Sequence, residues 1–411
     1  MYVIIYTKEV YMNNKIITNQ DSFGNGIIKE EKVIFVEKSL PNDIVNISII
    51  KDKKNYANAI ISNIVTPSKE RRIVDCPNYD KCGGCNILHQ KYEYQLKYKE
   101  NKVKETLNRV LNTNLNYKTI VYDNEYNYRN KVTLHINNNN LGLYKVKSND
   151  IIKVNKCLIC DNSINTIINK LQTIDLSNIE EIVVRKYNNG IGILFKLIGK
   201  YDFNSILSIF NDCNIYSIYK KQFNVINEVN DLYMKIGNYM YKSSIPSFFQ
   251  VNDNVVYKMY EQIKKYAGTG NNLLDLYCGV GSIGIYLSSN YNKVTGVEVV
   301  KSSYEDSLEN IKINNLTNID FINIEAKDFN SDVYFDTIIV DPPRAGLDNQ
   351  TIDFLTNKTS KKIIYISCDV NTLARDLKIL EEFYGIDEVA IFDMFPNSYH
   401  VETVVTLYRK K

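Results

Sequence analysis

Three residues have the types and placements that chemistry needs. Cys368 follows the strand-like run KKIIYIS and stands directly before a helix-prone stretch, TLARDL. A thiol at a helix N-terminus is expected to titrate below its usual ~8.5 and to supply a nucleophilic thiolate. Glu402 lies in DMFPNSYHVETVV, two residues after His400, where a carboxylate at a sheet end could act as a base. Asp341 closes the run YFDTIIVD and precedes Pro342 and Pro343, rigid residues that would fix a loop over a ligand.

A fourth stretch, DLYCGVGSIGIYL (275–287), contains Gly279-x-Gly281-x-x-Gly284. Alone, that spacing reads as a dinucleotide fingerprint. Glu298 ends the next strand-like run, where a carboxylate can accept hydrogen bonds from both ribose hydroxyls. S-Adenosylmethionine and NAD enzymes share that feature. An NAD oxidoreductase would leave Cys368, Asp341-Pro-Pro and Glu402 without roles. A methyl donor, a thiolate and a base suit methylation of a carbon that is not nucleophilic by itself, such as C5 of uracil. Amino-group methyltransferases often carry an aromatic residue after such a Pro-Pro pair; Arg344 stands there instead, which argues against an amine target.

Cys76, Cys82 and Cys85 form a tight trio among eight cysteines. In a reducing compartment such a trio favours a metal over disulfides. One zinc would more often show two C-x2-C pairs, and the spacing alone leaves zinc and iron–sulfur open.

These groups need elements to hold them. From Phe248 onward the rhythm changes to alternating strand-like and helix-like runs: NLLDLYC, SIGIYLSSN, KVTGVEVV, YEDSLENIKINN, DFINIEA, YFDTIIVD, TIDFLTN, KKIIYISC, TLARDLKILEEF, DEVAIFDMF and ETVVTLYRK. Strands buried on both faces between helices predict an α/β, doubly wound, mostly parallel sheet of seven strands, Rossmann-like, with ligands at the strand carboxyl ends. Short β-prone runs between 19 and 65 predict a small barrel, and 92–111 reads as an amphipathic helix. Residues 120–245 mix both patterns and predict an α+β domain.

The chain is 411 residues long, 44% hydrophobic and 24% charged, with no apolar run approaching the ~20 residues of a membrane helix. The opening MYVIIYTKEV is interrupted by Lys8 and Glu9 and lacks a basic leader, so a cytoplasmic location without membrane contact is expected. Residues 1–131 hold 21 Lys and Arg against 15 Asp and Glu, a basic front end suited to phosphate contacts.

At these motifs the sequence resembles the RNA uracil-C5 methyltransferases, especially the bacterial 23S rRNA enzymes with an iron–sulfur cluster. The resemblance implies a TRAM-like, OB-like barrel over 1–72 that binds RNA. It implies a central domain over 73–91 and 121–247, and a methyltransferase domain over 92–120 and 248–411. Cys76, Cys82, Cys85 and the distant Cys157 match its [4Fe-4S] ligands; Cys157 is preferred over Cys160 for its surroundings, IIKVNKC. Tyr128-Arg129-Asn130-Lys131 is similar to its central-domain signature, and 247–252 (SFFQVN) to its entry into the methyltransferase domain. Gln250, Tyr277, Ser282, Glu298, Glu325 and Asp341 match its S-adenosylmethionine contacts, Cys368 its nucleophile and Glu402 its proton-abstracting base. The implied partner is 23S rRNA presenting a single-stranded or flipped uridine, with tRNA as the alternative substrate. No obligate protein partner is implied, and a monomer is expected. Two departures stand out. Asp369-Val370 replaces Asn-Pro after the cysteine, and its charge is expected to oppose the Cys368 thiolate relative to an Asp369→Asn variant; the same change keeps alive an RNA-binding protein without catalysis. Asn42 replaces a turn glycine, a conformation that Asn tolerates.

Overall fold

The computed structural model describes residues 11–111, 114–357 and 360–411. The opening decapeptide discussed above lies outside the described residues. Two compact units are present: residues up to Lys102 together with Asn397–Tyr399, and Val103–Pro396 with His400–Lys411.

In the first unit six strands pair in the order Tyr11–Ile16, Ile44–Asp52, Tyr56–Thr66, Val33–Val36, Gly26–Lys29, Asn19–Gln20. The sheet curls around Ile17, Ile28, Ile34, Val36, Val45 and Ile47 as a half-barrel, in line with the small barrel that the run lengths suggest. Tyr11–Ile16 supplies an edge strand that its polar sequence, YMNNKI, concealed. Asn42 adopts a φ of 70°, as its turn requires, and the adjacent Asp43 is fully buried. Its Oδ2 accepts from the Leu40 N–H at 2.7 Å, and the Arg71 guanidinium pairs with the same carboxylate.

The second unit holds two larger sheets. One orders its seven strands as Ile151–Lys153, Asn140–Tyr144, Lys131–Asn137, Ile179–Tyr187, Gly190–Leu197, Asn214–Tyr219 and Gln222–Asn227. The helices Asn162–Leu171 and Asn204–Ile209 contribute Ile164, Ile168, Leu171 and Ile206 to its core. The other sheet runs Ile319–Ile322, Tyr291–Val297, Gly270–Leu276, Thr337–Val340, Lys362–Ser367, Glu402–Arg409, Tyr384–Phe392 and Asn116–Tyr117. The first five strands are parallel and Glu402–Arg409 is antiparallel to both neighbours. The expected α/β, mostly parallel sheet is therefore present, with an eighth, two-residue edge strand too short to leave a periodic signal.

Local chemistry sets the boundaries that matter. Asn252 caps the helix Asp253–Ala267 by accepting from the Val255 N–H, and Gly268 ends it at a φ of 66°. Buried Val255, Val256, Met259, Tyr260 and Ile263 follow helical spacing on its inner face. Among the described residues no helix is long and apolar enough to cross a membrane.

Candidate active site

The crevice forms where the parallel strands end. After Gly270–Leu276 the chain reverses sharply, with Tyr277, Gly279 and Gly281 all at positive φ (64°, 56° and 78°). A Cβ on Gly279 would meet nothing within 4 Å, leaving open space beside the backbone, whereas one on Gly281 would stand 2.2 Å from Phe321. Gly279 thus faces the crevice and Gly281 serves packing.

Three carboxylates surround this turn. Glu298 is held by two backbone donors, Gly279 N–H to Oε2 at 2.8 Å and Val300 N–H to Oε1 at 2.6 Å. Asp275 is fully buried; its Oδ2 accepts from the Gly284 N–H at 2.8 Å while Oδ1 has no partner. Burial, then the nearby Asp341 and Glu298 charges, push its carboxyl up to about 8 despite the Gly284 bond. Asp341, at the tip of Thr337–Val340, is pushed up to about 7 by desolvation. Tyr260 donates to or accepts from Ser282 Oγ at 2.7 Å, and the Tyr277 hydroxyl reaches Thr351 Oγ1 at 3.2 Å and Asp348 Oδ2 at 3.3 Å. Gln250 is buried, and its carbonyl accepts from Asn130 Nδ2 at 3.1 Å, which also bonds Asp253 Oδ1 at 2.6 Å. The motif 128–131 therefore fixes the segment leading into the sheet, with Lys131 Nζ on the Ile245 carbonyl at 2.8 Å. Glu325 follows the strand Ile319–Ile322, is exposed and pairs with Lys327 at 2.5 Å.

The next strand brings the thiol. Ser367 and Thr403 are the last partners of the Lys362–Ser367 and Glu402–Arg409 ladder, so Cys368 and Glu402 meet at its end. Burial raises the Cys368 thiol to about 11; Glu402 and Asp341 add to the rise, and Arg344, which hydrogen-bonds the thiol, opposes it. This reverses the expectation of a lowered thiol. Burial outweighs the helix N-terminus, which Asp369 itself caps, its Oδ1 accepting from Asn371 N–H at 2.9 Å and Thr372 N–H at 3.3 Å. Glu402 and Asp341 are the carboxylates whose charges raise the thiol most. Glu402 is almost fully buried; desolvation and then Asp341 hold its carboxyl well above the usual range, against the pull of Arg344.

The model of the tRNA (uracil-5-)-methyltransferase family matches residues 218–410. An RNA methyltransferase of Clostridium tetani is 33% identical, the match covering 96% of this chain and 95% of the relative. One from Bacillus cereus is 32% identical, covering 94% of each. The chain belongs to the RNA uracil-5-methyltransferase family. A solved structure, Pyrococcus abyssi tRNA (uracil-54, C5)-methyltransferase in complex with S-adenosyl-L-homocysteine, superposes with a TM-score of 0.78 at 25% identity, over 96% of this chain and 99% of the other.

The methyltransferase crevice suits its methyl donor: an open approach at Gly279, the pinned Glu298 carboxylate and the unpartnered Asp275 Oδ1 form a polar cradle. Sequence reasoning passed over two features around it. Arg344, flagged only as an unusual residue after Pro343, bonds Cys368 and lies 3.4 Å from His400 Nε2. Its loop is anchored by buried Asp376, whose Oδ2 accepts from Leu347 N–H at 2.9 Å and Tyr365 hydroxyl at 2.6 Å. Only Arg344's position beside the Pro-Pro pair could have signalled the first, and nothing the second.

None of the eight cysteines forms a disulfide. Among the described residues no three His, Cys, Asp or Glu side chains gather closely enough to hold a metal. Cys76, Cys82 and Cys85 are partly exposed on one loop, where Gly84 N–H points to Cys82 Sγ at 3.4 Å. In the second unit Cys160 is fully buried in the core while Cys157 is partly exposed, its thiol pushed down to about 6, chiefly by the Cys160 side chain.

Proposed function

We propose that this enzyme methylates C5 of a uridine in 23S rRNA, with Cys368 as nucleophile and Glu402 as base. The observation that carries the reading is the meeting of Cys368, Glu402, Asp341 and Arg344 at the ends of neighbouring strands. Bound S-adenosylmethionine supplies an electrophilic methyl group, and Gln250, Tyr277, Ser282, Glu298 and Asp341 are the residues that would hold it.

The target uridine must leave its stack to reach the thiol. Cys368 Sγ, ionised beside the Arg344 guanidinium, adds to uracil C6, and the electron pair of the C5–C6 double bond moves into the C4 carbonyl as an enolate. The enolate pair then returns through C5 to form the bond to the methyl carbon as that carbon's bond to the donor sulfur breaks, so that the bound donor would leave as S-adenosylhomocysteine. Glu402 removes the C5 proton, the C–H pair re-forms the double bond, and the C6–S bond breaks to release the thiolate. A buried carboxylate that holds its proton tightly is a strong base once ionised, and Arg344 favours the charged forms of both Glu402 and Cys368.

Two supports favour the ribosomal substrate: the half-barrel, read as a TRAM domain gripping RNA, and the cysteine set Cys76, Cys82, Cys85 and Cys157, read as ligands of a [4Fe-4S] cluster. No catalytic step is assigned to the cluster. Iron and acid-labile sulfide in anaerobically purified protein, lost on Cys82→Ser, test that part. tRNA is the second reading, favoured by the named substrate of the Pyrococcus abyssi neighbour. The deciding experiment offers labelled S-adenosylmethionine with transcribed 23S rRNA and tRNA to the wild type and Cys368→Ala, mapping 5-methyluridine by mass spectrometry. Product in rRNA alone, abolished by the substitution, is expected; product in tRNA alone would move the substrate.

A further inference from the structure

Within the second unit the helix Lys301–Ile313 carries Asp306 and Asn310, and Asn314 caps its end. Residues four apart on a helix share a face and are separated by a rise of about 6 Å, close to the step of two extended residues. The three side chains accordingly hold alternate residues of one passing segment. Asn314 Oδ1 accepts from the Met240 N–H at 2.9 Å, and its Nδ2 donates to the Met240 carbonyl at 2.6 Å. Asn310 treats Lys242 in the same way, its Oδ1 accepting from the N–H at 2.6 Å and its Nδ2 donating to the carbonyl at 3.0 Å. Asp306 takes Ser244, accepting from its N–H at 2.9 Å and its hydroxyl at 2.6 Å, and accepts from the Ser247 hydroxyl at 2.8 Å. Gln250, read above as a cofactor contact, lies three residues further on.

Asn310 does more than its two neighbours on the helix. It is fully buried, and its Nδ2 makes a second bond, to the Val280 carbonyl at 3.0 Å. Both donors of the amide are thus spent on backbone carbonyls, one in the 240–247 segment and one in the glycine turn. Val280 stands between Gly279 and Gly281, each at left-handed φ, where the chain turns beside the crevice. Glycines leave such a turn wide conformational freedom, which a ligand must remove on binding. We propose that Asn310 is a positioning residue for S-adenosylmethionine, holding the Gly279–Gly281 turn in its binding conformation before the cofactor arrives. The inference rests on the reading that the cofactor lies at this turn. Tying Val280 and Lys242 to one amide also keeps the turn in register with the segment that delivers Gln250. If a looser turn is competent for only a fraction of the time, the apparent Kd rises by the inverse of that fraction.

Calorimetry of the full-length protein with S-adenosylmethionine and with S-adenosylhomocysteine reads affinity and stoichiometry without RNA. Asn310→Asp keeps the acceptor for the Lys242 N–H and loses both donated bonds. Asn310→Ser, smaller and uncharged, is the second variant should the buried carboxylate prevent folding. Asn314→Ala loses the bonds to Met240 from the same helix and leaves Val280 untouched. With the turn competent about one-tenth of the time, both Asn310 variants should bind each ligand about tenfold more weakly at full stoichiometry, with kcat at saturating cofactor within about threefold of wild type. Amide exchange in their ligand-free forms should quicken in peptides over 275–287 and not across the whole chain. Asn314→Ala should change Kd less than about threefold. A lowered stoichiometry at unchanged Kd, the mark of a merely structural role, would overturn the proposal, and so would equal losses of affinity in the Asn310 and Asn314 variants. Glu298→Ala tests the reading beneath it and should weaken both ligands more than about tenfold. Wild-type affinity in that variant would place the cofactor elsewhere and overturn the site, whereas a weakened Glu298→Ala beside unaffected Asn310 variants would overturn the role of Asn310 alone.

Discussion

Alkylation of Cys368 in the ligand-free enzyme should follow a titration centred near 11, where an ordinary thiol lies at 9.0. At pH 8 the raised value leaves about one thiol in a thousand ionised, against about one in ten, a loss of roughly 100-fold in thiolate. A more basic thiolate is also more nucleophilic; a Brønsted coefficient of ~0.4–0.5 over two pH units returns a little under tenfold. Cys368 should thus react with iodoacetamide about tenfold more slowly than a free cysteine peptide at pH 8, with a rate still climbing at pH 10. Mass spectrometry of its tryptic peptide isolates it from the other seven cysteines. Glu402→Gln should speed the reaction at high pH by removing the strongest opposing charge, Arg344→Met should slow it, and Asp369→Asn should leave it unchanged. A midpoint at or below 9, or an Asp369→Asn effect matching that of Glu402→Gln, would refute the electrostatic account.

Asp275 titrates near 8 when folded and near 3.8 when unfolded, so the native state binds the extra proton between those values. Its contribution to stability is present below pH ~4 and is lost as pH rises through about 8; Asp275→Asn should flatten the fall in melting temperature over that window. The two turn glycines should respond differently to alanine. Gly279→Ala, with open space around its Cβ, should cost only about 1–2 kcal/mol of stability, by thermal unfolding, while weakening S-adenosylmethionine binding by calorimetry. Gly281→Ala adds a clash with Phe321 to the same strain and should cost about 2–5 kcal/mol. Asp376→Ala strands the buried Tyr365 hydroxyl and the Leu347 N–H; a loss of about 3–5 kcal/mol in denaturant unfolding is expected, with weaker methyl transfer because the Arg344 loop loses its anchor.

The sequence by itself determined the strand and helix alternation from 270 onward, because parallel strands buried on both faces must be apolar throughout and their connections must be helices. It also carried the placement of Cys368, Glu402 and Asp341 at strand ends, where ligands bind on such a sheet. What remained hidden depends on residues distant in the chain. The two-residue strand Asn116–Tyr117 exists only because Glu388 and Val389 present a free edge to it. The thiol's rise could not be read from its neighbours in sequence: Asp369 stands beside it and caps the helix, and the carboxylates whose charges raise the thiol most are Glu402 and Asp341. Asn397 reads as one turn residue among many, and only folding brings Arg72 and Gln95, some three hundred positions earlier, onto its side chain. Periodicity and strand-end position are local properties that a chain carries unfolded; burial, charge proximity and hydrogen-bond partnership belong to pairs of residues, and the tertiary structure alone decides which pairs meet.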